Sequence, residues 1–106
     1  MYYMIHNNVM EKLEFEWDEN KERINIQKHK IDFSTASFVF LDEQRLEFYD
    51  EKHSKFEERY KVIGTINGFL MVIVVSYTLR NNGKTIRLIS ARKAEKEERE
   101  EYYGNY

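Results

Sequence analysis

The chain has 106 residues, of which 42% are hydrophobic and 34% are charged, and its formal net charge is −2. This length supports a single core, so we expect one domain, and the composition excludes a disordered polypeptide. The absence of cysteine from the sequence excludes disulfides, thiolate metal sites and cysteine nucleophiles. No apolar run is long enough for a signal peptide or a membrane span, so we expect a cytoplasmic protein without membrane contact.

The charge is distributed unevenly along the chain. Residues 1–53 carry a net charge of −5 and residues 54–106 a net charge of +3. No acidic residue occurs in the 36 residues from Arg59 to Ala94. A surface of this kind favours binding to a polyanion. The same charge would also suit the acidic segment that follows it, or an acidic partner protein.

The first predicted elements are a strand and a helix. Leu13, Phe15 and Trp17 alternate with charged residues, which is typical of a half-buried strand. We interpret Trp17 as a core anchor in preference to an exposed stacking platform. Asp18 is a suitable N-cap for a helix that is predicted over residues 19–29.

A short buried helix and a second strand are predicted next. Ser34 is a suitable N-cap, and the largely apolar sequence up to Phe40 indicates that the helix is buried. Residues 45–50 alternate again between apolar and polar side chains. This pattern predicts a strand with Leu46 and Phe48 facing the core.

The second half of the chain is typical of an antiparallel β-meander followed by a helix. Segments rich in β-branched residues, separated by asparagine–glycine turns, predict three neighbouring strands. The strands are residues 60–66, 69–77 and 85–91, and the turns are Asn67-Gly68 and residues 81–83. Residues 92–103 are rich in helix formers, and this helix should pack on the sheet or on a partner. The predicted fold class is therefore α+β, with N-terminal helices, an antiparallel β-meander sheet and a C-terminal helix.

Several short motifs follow one another in a specific order and spacing. They are residues 15–18 with Lys28-His29 and Phe33, then residues 50–60, Ile63-Gly64, residues 74–78 and residues 86–94. Together these motifs resemble the BrnT family of toxins, and the resemblance covers about residues 13–103. Residues 1–11 lie outside it, so we interpret them as an N-terminal extension of a toxin domain at 12–103, with Met10 as an alternative start. Lys30 stands where a glycine usually ends the first helix, and a lysine in a left-handed C-cap costs roughly 1 kcal/mol.

The resemblance implies a RelE-like fold, sequence-tolerant cleavage of RNA and inhibition of translation. It also implies neutralisation by a BrnA-type antitoxin with a ribbon-helix-helix region, in an expected heterotetramer. Operator DNA would then be bound only through the antitoxin. We expect no cofactor and no metal ion, because three scattered histidines without cysteines are a poor ligand set. An alternative from another class is a non-catalytic interaction module that forms a DNA-binding repressor complex with its partner.

Cleavage of RNA without a metal ion uses the ribose 2′-hydroxyl as nucleophile. The reaction needs a base near that hydroxyl, cations on the phosphate and an acid for the departing 5′ oxygen. The candidate catalytic residues are His53, Glu58, Arg59, Arg87 and Arg92. Histidine suits either proton transfer because its ordinary pKa lies near neutrality, and a guanidinium binds phosphate with two hydrogen bonds.

Each catalytic candidate has a plain structural alternative, which for His53 is a loop histidine that only caps or contacts solvent. Glu58 is a possible base, but a glutamate in this position is more often a salt-bridge partner, and Arg59 could pair with it or with Glu57. Arg87 and Arg92 are expected to point into one groove; the alternative is surface charge. The candidate RNA-binding residues are Lys61, Tyr77, Arg80, Lys84 and Lys93, although a tyrosine in the central strand is more often part of the core.

Overall fold

The computed structural model describes residues 2–7, 11–66 and 70–104. Its strands are β1 (Tyr2–Asn7), β2 (Glu11–Trp17), β3 (Leu46–Tyr49), β4 (Tyr60–Thr65), β5 (Val72–Arg80) and β6 (Thr85–Lys93). Its helices are α1 (Glu19–His29), α2 (Phe33–Ala36) and α3 (Lys96–Tyr103), with 3-10 helices at Ser37–Leu41 and Glu51–His53. None of the helices in the described part of the chain has the length and apolar character needed to cross a membrane.

The described strands form one six-stranded sheet in the order β1-β2-β6-β5-β4-β3. Strands β3 to β6 form the predicted antiparallel meander, and the α+β class is confirmed. Outside the meander the sheet has one parallel pair, which the sequence did not predict, because β2 lies parallel to β6. Parallel neighbours need a long crossover, which the helices and the meander together provide. β1, within the predicted N-terminal extension, pairs with β2 and adds an edge strand.

The main core lies on the face of the sheet that α1, α2 and the first 3-10 helix cover, which we call the first face. Phe15, Val75 and Leu88 point into it from three adjacent strands. Trp17 is 2% exposed and meets Phe33 edge to face, with 6.0 Å between the ring centroids. The prediction that Trp17 packs in the core is confirmed.

The opposite face, here the second face, is covered only in part. Ile63, Val74 and Ala94 pack there against Tyr102 of α3. The Tyr102 hydroxyl donates to the Asp42 carboxylate, which also accepts the Thr65 amide at 2.8 Å. α3 is shorter than predicted and starts at Lys96, because β6 continues to Lys93 in register with β5. The second face therefore stays open beside α3.

Helix α1 has the predicted bounds, because Asp18 and Lys30 cap its two ends. A buried asparagine in its middle joins the helix to the sheet. Asp18 accepts hydrogen bonds from the amides of residues 20 and 21, at 2.8 and 3.1 Å. Lys30 adopts the expected left-handed C-cap, with φ of 63°. Asn25 is buried and bonds both the N–H and the C=O of Ala91, at 3.0 and 2.9 Å. This side chain replaces a strand partner for β6 beyond the point where β2 ends.

Two further predictions needed correction. The N-cap of α2 is Asp32, whose carboxylate accepts the Thr35 amide at 2.9 Å, so the assignment to Ser34 is wrong. Phe48 was predicted to face the core, but it is exposed because β3 is an edge strand. Only Leu46, the first residue of β3, is partly buried. The Asn67-Gly68 turn and Phe69 lie outside the described residues, and the strand predicted from Phe69 is described from Val72.

Candidate active site

A short loop between β3 and β4 is closed into a ring by three hydrogen bonds. The Asp50 amide donates to the Arg59 carbonyl at 2.8 Å. The Ser54 hydroxyl donates to the Asp50 carbonyl at 2.6 Å and accepts the Arg59 amide at 2.9 Å. Asp50 also caps the 3-10 helix that carries His53. The loop therefore holds His53 and Arg59 at one edge of the second face.

The loop and the open second face together form a cleft of about 350 Å³, which we call the active-site cleft. The loop contributes three residues, β4 and β5 one each, and β6 three. They are Asp50, His53, Arg59, Lys61, Ser76, Ile89, Ser90 and Arg92. Four of the sequence-predicted residues thus meet in one place: His53, Arg59, Arg92 and Lys61.

His53 is oriented by a carboxylate that the sequence analysis did not select. Its Nδ1 lies 2.9 Å from Asp50 Oδ2, and the side chains are 54% and 9% exposed respectively. Burial opposes ionisation of Asp50, but the hydrogen bond from His53 and the charge of Lys61 hold its pKa below the ordinary value. An ionised carboxylate only accepts hydrogen bonds, so Nδ1 carries a proton, and in the neutral imidazole Nε2 is then the acceptor. The D-x-x-H spacing, with aspartate as the cap, is the signal that could have identified Asp50.

Arg59 is held loosely in this cleft. Its guanidinium lies 3.8 Å from Glu57, which is closer to Arg80, at 3.2 Å. Within the described part of the chain, the buried Arg59 Nε has no hydrogen-bond partner. A buried donor of this kind is costly unless a ligand or water satisfies it. Arg59 thus retains capacity to bind an anion.

Arg92 is held tightly by the terminal helix. Its two terminal nitrogens bind the two carboxylate oxygens of Glu98 at 2.8 and 2.9 Å. This hydrogen-bonded pair raises the pKa of Arg92 and lowers that of Glu98. A guanidinium can bind a phosphate with the same two parallel hydrogen bonds that it makes to a carboxylate. Glu98 thus engages both terminal nitrogens of Arg92 in this structure.

A β-bulge in β6 decides where Arg87 and Arg92 point. Tyr77 pairs with Leu88 whereas Ser76 pairs with Ser90, so β6 has one extra residue between them. Residues five positions apart in a regular strand face opposite ways. The extra residue puts Arg87 and Arg92 on the same face, but about 16 Å of strand separates them, so they do not share one groove as predicted. Arg87 lies outside the cleft and pairs with Glu16 at 2.7 Å.

The other predicted residues do not line the active-site cleft. Glu58 is exposed and contributes only its carbonyl, which accepts the Thr78 hydroxyl. Tyr77 is 4% exposed and donates to Glu47 at 2.7 Å; burial and this bond raise the pKa of Tyr77. It lies in the core because β5 turns this position toward the first face. Arg80 pairs with Glu57, Lys84 lies in the β5–β6 turn, and Lys93 lines a neighbouring cleft.

Comparison with protein families gives one match over most of the chain. A family model described as the ribonuclease toxin BrnT of type II toxin–antitoxin systems matches residues 17–98. This range contains the whole active-site cleft and the Glu98 that closes on Arg92. Comparison with curated proteins gives no significant match.

Proposed function

The chain belongs to the BrnT family of ribonuclease toxins of type II toxin–antitoxin systems, and we propose that it cleaves RNA without a metal ion at the active-site cleft. The observation that carries this proposal is the histidine–carboxylate pair in a cleft whose other charged side chains are cations. Asp50 orients His53, and Arg59, Lys61 and Arg92 surround the space in front of it. Arg59 and Lys61, joined by Arg92 once it leaves Glu98, would favour a phosphate over a divalent metal ion.

The proposed reaction is an internal transesterification. His53 Nε2 takes the proton of the ribose 2′-hydroxyl, and the 2′ oxygen forms a bond to phosphorus. The bond from phosphorus to the 5′ oxygen breaks, and water supplies the proton to that oxygen. The products are a 2′,3′-cyclic phosphate and a 5′-hydroxyl end.

The cations act on the phosphate, where negative charge accumulates in the transition state. Arg59 has a buried Nε without a hydrogen-bond partner in the described part of the chain, which a phosphate oxygen would satisfy. Arg92 can exchange the two oxygens of Glu98 for two phosphate oxygens without changing its own geometry. Fixed donors of this kind are among the largest contributions to catalysis.

The finer biological role is part of the same proposal. Cleavage of messenger RNA would inhibit translation, and a BrnA-type antitoxin would neutralise the toxin by covering the cleft with acidic side chains. Charge complementarity would speed this encounter and favour the correct partner. Arg59 and Arg92 would then pair with carboxylates of the antitoxin, as they pair now with Glu57 and Glu98.

The decisive experiment incubates the purified chain with a labelled RNA in the presence of EDTA. We expect cleavage, with products that carry a 2′,3′-cyclic phosphate or, after its hydrolysis, a 3′-phosphate. Activity that disappears with EDTA and returns with magnesium would contradict the metal-free reaction. A folded chain that binds RNA and the antitoxin but never cleaves would favour the non-catalytic alternative.

A further inference from the structure

A second basic cleft, of about 500 Å³, lies beside the active-site cleft. It is lined by Lys28, His29, Lys30, Arg92, Lys93 and Glu95. Arg92 belongs to both clefts. A smaller cleft also joins the two, because it shares Ile89 and Ser90 with the first, and Lys28 and His29 with the second. A ligand that passes Arg92 can therefore enter the second basic cleft directly.

The cations of the second basic cleft are mostly unpaired. Among the described residues, the ammonium groups of Lys28 and Lys93 have neither an ion pair nor a hydrogen bond, and Lys30 donates only to the Gln27 carbonyl at 2.9 Å. The C-terminal end of a helix attracts cations, which accounts for Lys28 in the last turn of α1 and for Lys30 at its C-cap. It does not account for Lys93, which comes from β6. Two separate elements thus bring unpaired positive charge to one cleft.

We propose that the second basic cleft binds the phosphates of the RNA strand that flank the phosphate being cleaved. This inference rests on the proposed function of the active-site cleft. The strand passes over Arg92, and Lys28 and Lys93 bind phosphates further along it. The described lining has no phenylalanine, tyrosine or tryptophan, so bases find no large aromatic ring to stack on. Contacts to phosphate alone carry no sequence information, so this cleft contributes affinity without base preference.

The test compares two double variants that remove the same charge. Lys28→Ala/Lys93→Ala removes the unpaired lysines, and Arg23→Ala/Lys96→Ala is the control. All four side chains are exposed, and the control residues lie on α1 and near the end of β6 but line none of these clefts. The probe is a fluorescent twelve-nucleotide 2′-O-methyl RNA, which cannot be cleaved, and its binding is measured by anisotropy at several salt concentrations.

We expect the slope of log Kd against log salt to become shallower by about 0.7 for each lost phosphate contact, or about 1.4 in the double variant. Between 50 and 200 mM salt, this corresponds to about a sevenfold smaller change in Kd. The control should keep the wild-type slope. Equal slopes for wild type and Lys28→Ala/Lys93→Ala would overturn the inference, as would an equal loss in the control.

A separate assay distinguishes failure of the inference from failure of the proposed function. Wild-type protein is incubated with the unmodified twelve-nucleotide RNA in EDTA. Absence of cleavage would overturn the proposed reaction, and with it the role of the cleft in positioning a substrate. Cleavage combined with equal salt slopes would leave the reaction standing and overturn the second basic cleft alone.

Discussion

Arg92→Ala removes a side chain that takes part in both the proposed reaction and the packing of α3. As a cation on the transition-state phosphate, Arg92 should contribute about 2.7–4 kcal/mol, which is about 100- to 1,000-fold in kcat. As the partner of Glu98, it also stabilises the fold. The two side chains are 29% and 21% exposed, so we assign this pair about 1 kcal/mol. For a domain of this size, the expected loss in Tm is about 4–8 °C.

Glu98→Gln separates the two effects. Glutamine at this position preserves the capping box at the start of α3, but the charged partner of Arg92 is lost. We expect a fall in Tm similar to that of Arg92→Ala, together with RNA binding that is tighter than in wild type, because phosphate no longer competes with a carboxylate. Arg92→Lys should cleave at a rate between those of wild type and Arg92→Ala, because an ammonium group keeps the charge but cannot make the bidentate hydrogen bond of a guanidinium.

The assay combines single-turnover cleavage of a labelled RNA with thermal unfolding followed by circular dichroism. A folded Arg92→Ala protein that cleaves at the wild-type rate would show that this arginine is only surface charge. If Glu98→Gln lost cleavage to the same extent as Arg92→Ala, the docking of α3 would be responsible, and the assignment of Arg92 to the phosphate would be refuted.

His53→Ala should lower the cleavage rate by about 100- to 10,000-fold. Asp50→Asn should lower it by less, because the imidazole of His53 remains but loses its ionised acceptor. Initial rates measure both variants, and a wild-type rate for His53→Ala would exclude His53 as the base. Asn25→Ala leaves the buried backbone N–H and C=O of Ala91 unpaired, which costs about 1–3 kcal/mol for each group. Urea denaturation should therefore show a free energy of unfolding that is lower by at least about 2 kcal/mol. An unchanged midpoint would contradict this account. Burial opposes ionisation of Asp42, but its hydrogen bonds hold its pKa below the ordinary 3.8. The ionised Asp42 therefore stabilises the fold fully above pH 3.8, and this contribution is lost as the pH falls through the lowered pKa of the folded protein. The Tm of Asp42→Asn should therefore approach that of wild type in acid, and a constant difference at all pH values would show that ionisation does not matter.

Local features of the fold could be predicted from the sequence because they depend on neighbouring residues. Asp18 caps the helix that follows it, and the bounds of α1 are those predicted. The left-handed turn at Lys30 is also local, since it ends one helix. Segments rich in β-branched residues correctly predicted the strands of the meander, and the alternation of apolar and charged residues predicted the core position of Trp17. His53 and Arg59 line the same cleft because only the five residues 54–58 separate them in one loop, and such closeness can be read from a sequence.

Features that depend on contacts between distant residues were decided only by the tertiary structure. The bulge opposite Ser76 places Arg92 in the cleft, and no local pattern in β6 predicts that extra residue. Asn25 is used as a strand partner 66 residues away, and a polar residue in a helix gives no sign of such a role. Glu98 binds Arg92 because α3 folds back on the open face of the sheet. The sequence determined which charges the chain has and which helices and strands it forms; only their packing decided which of those charges share a cleft.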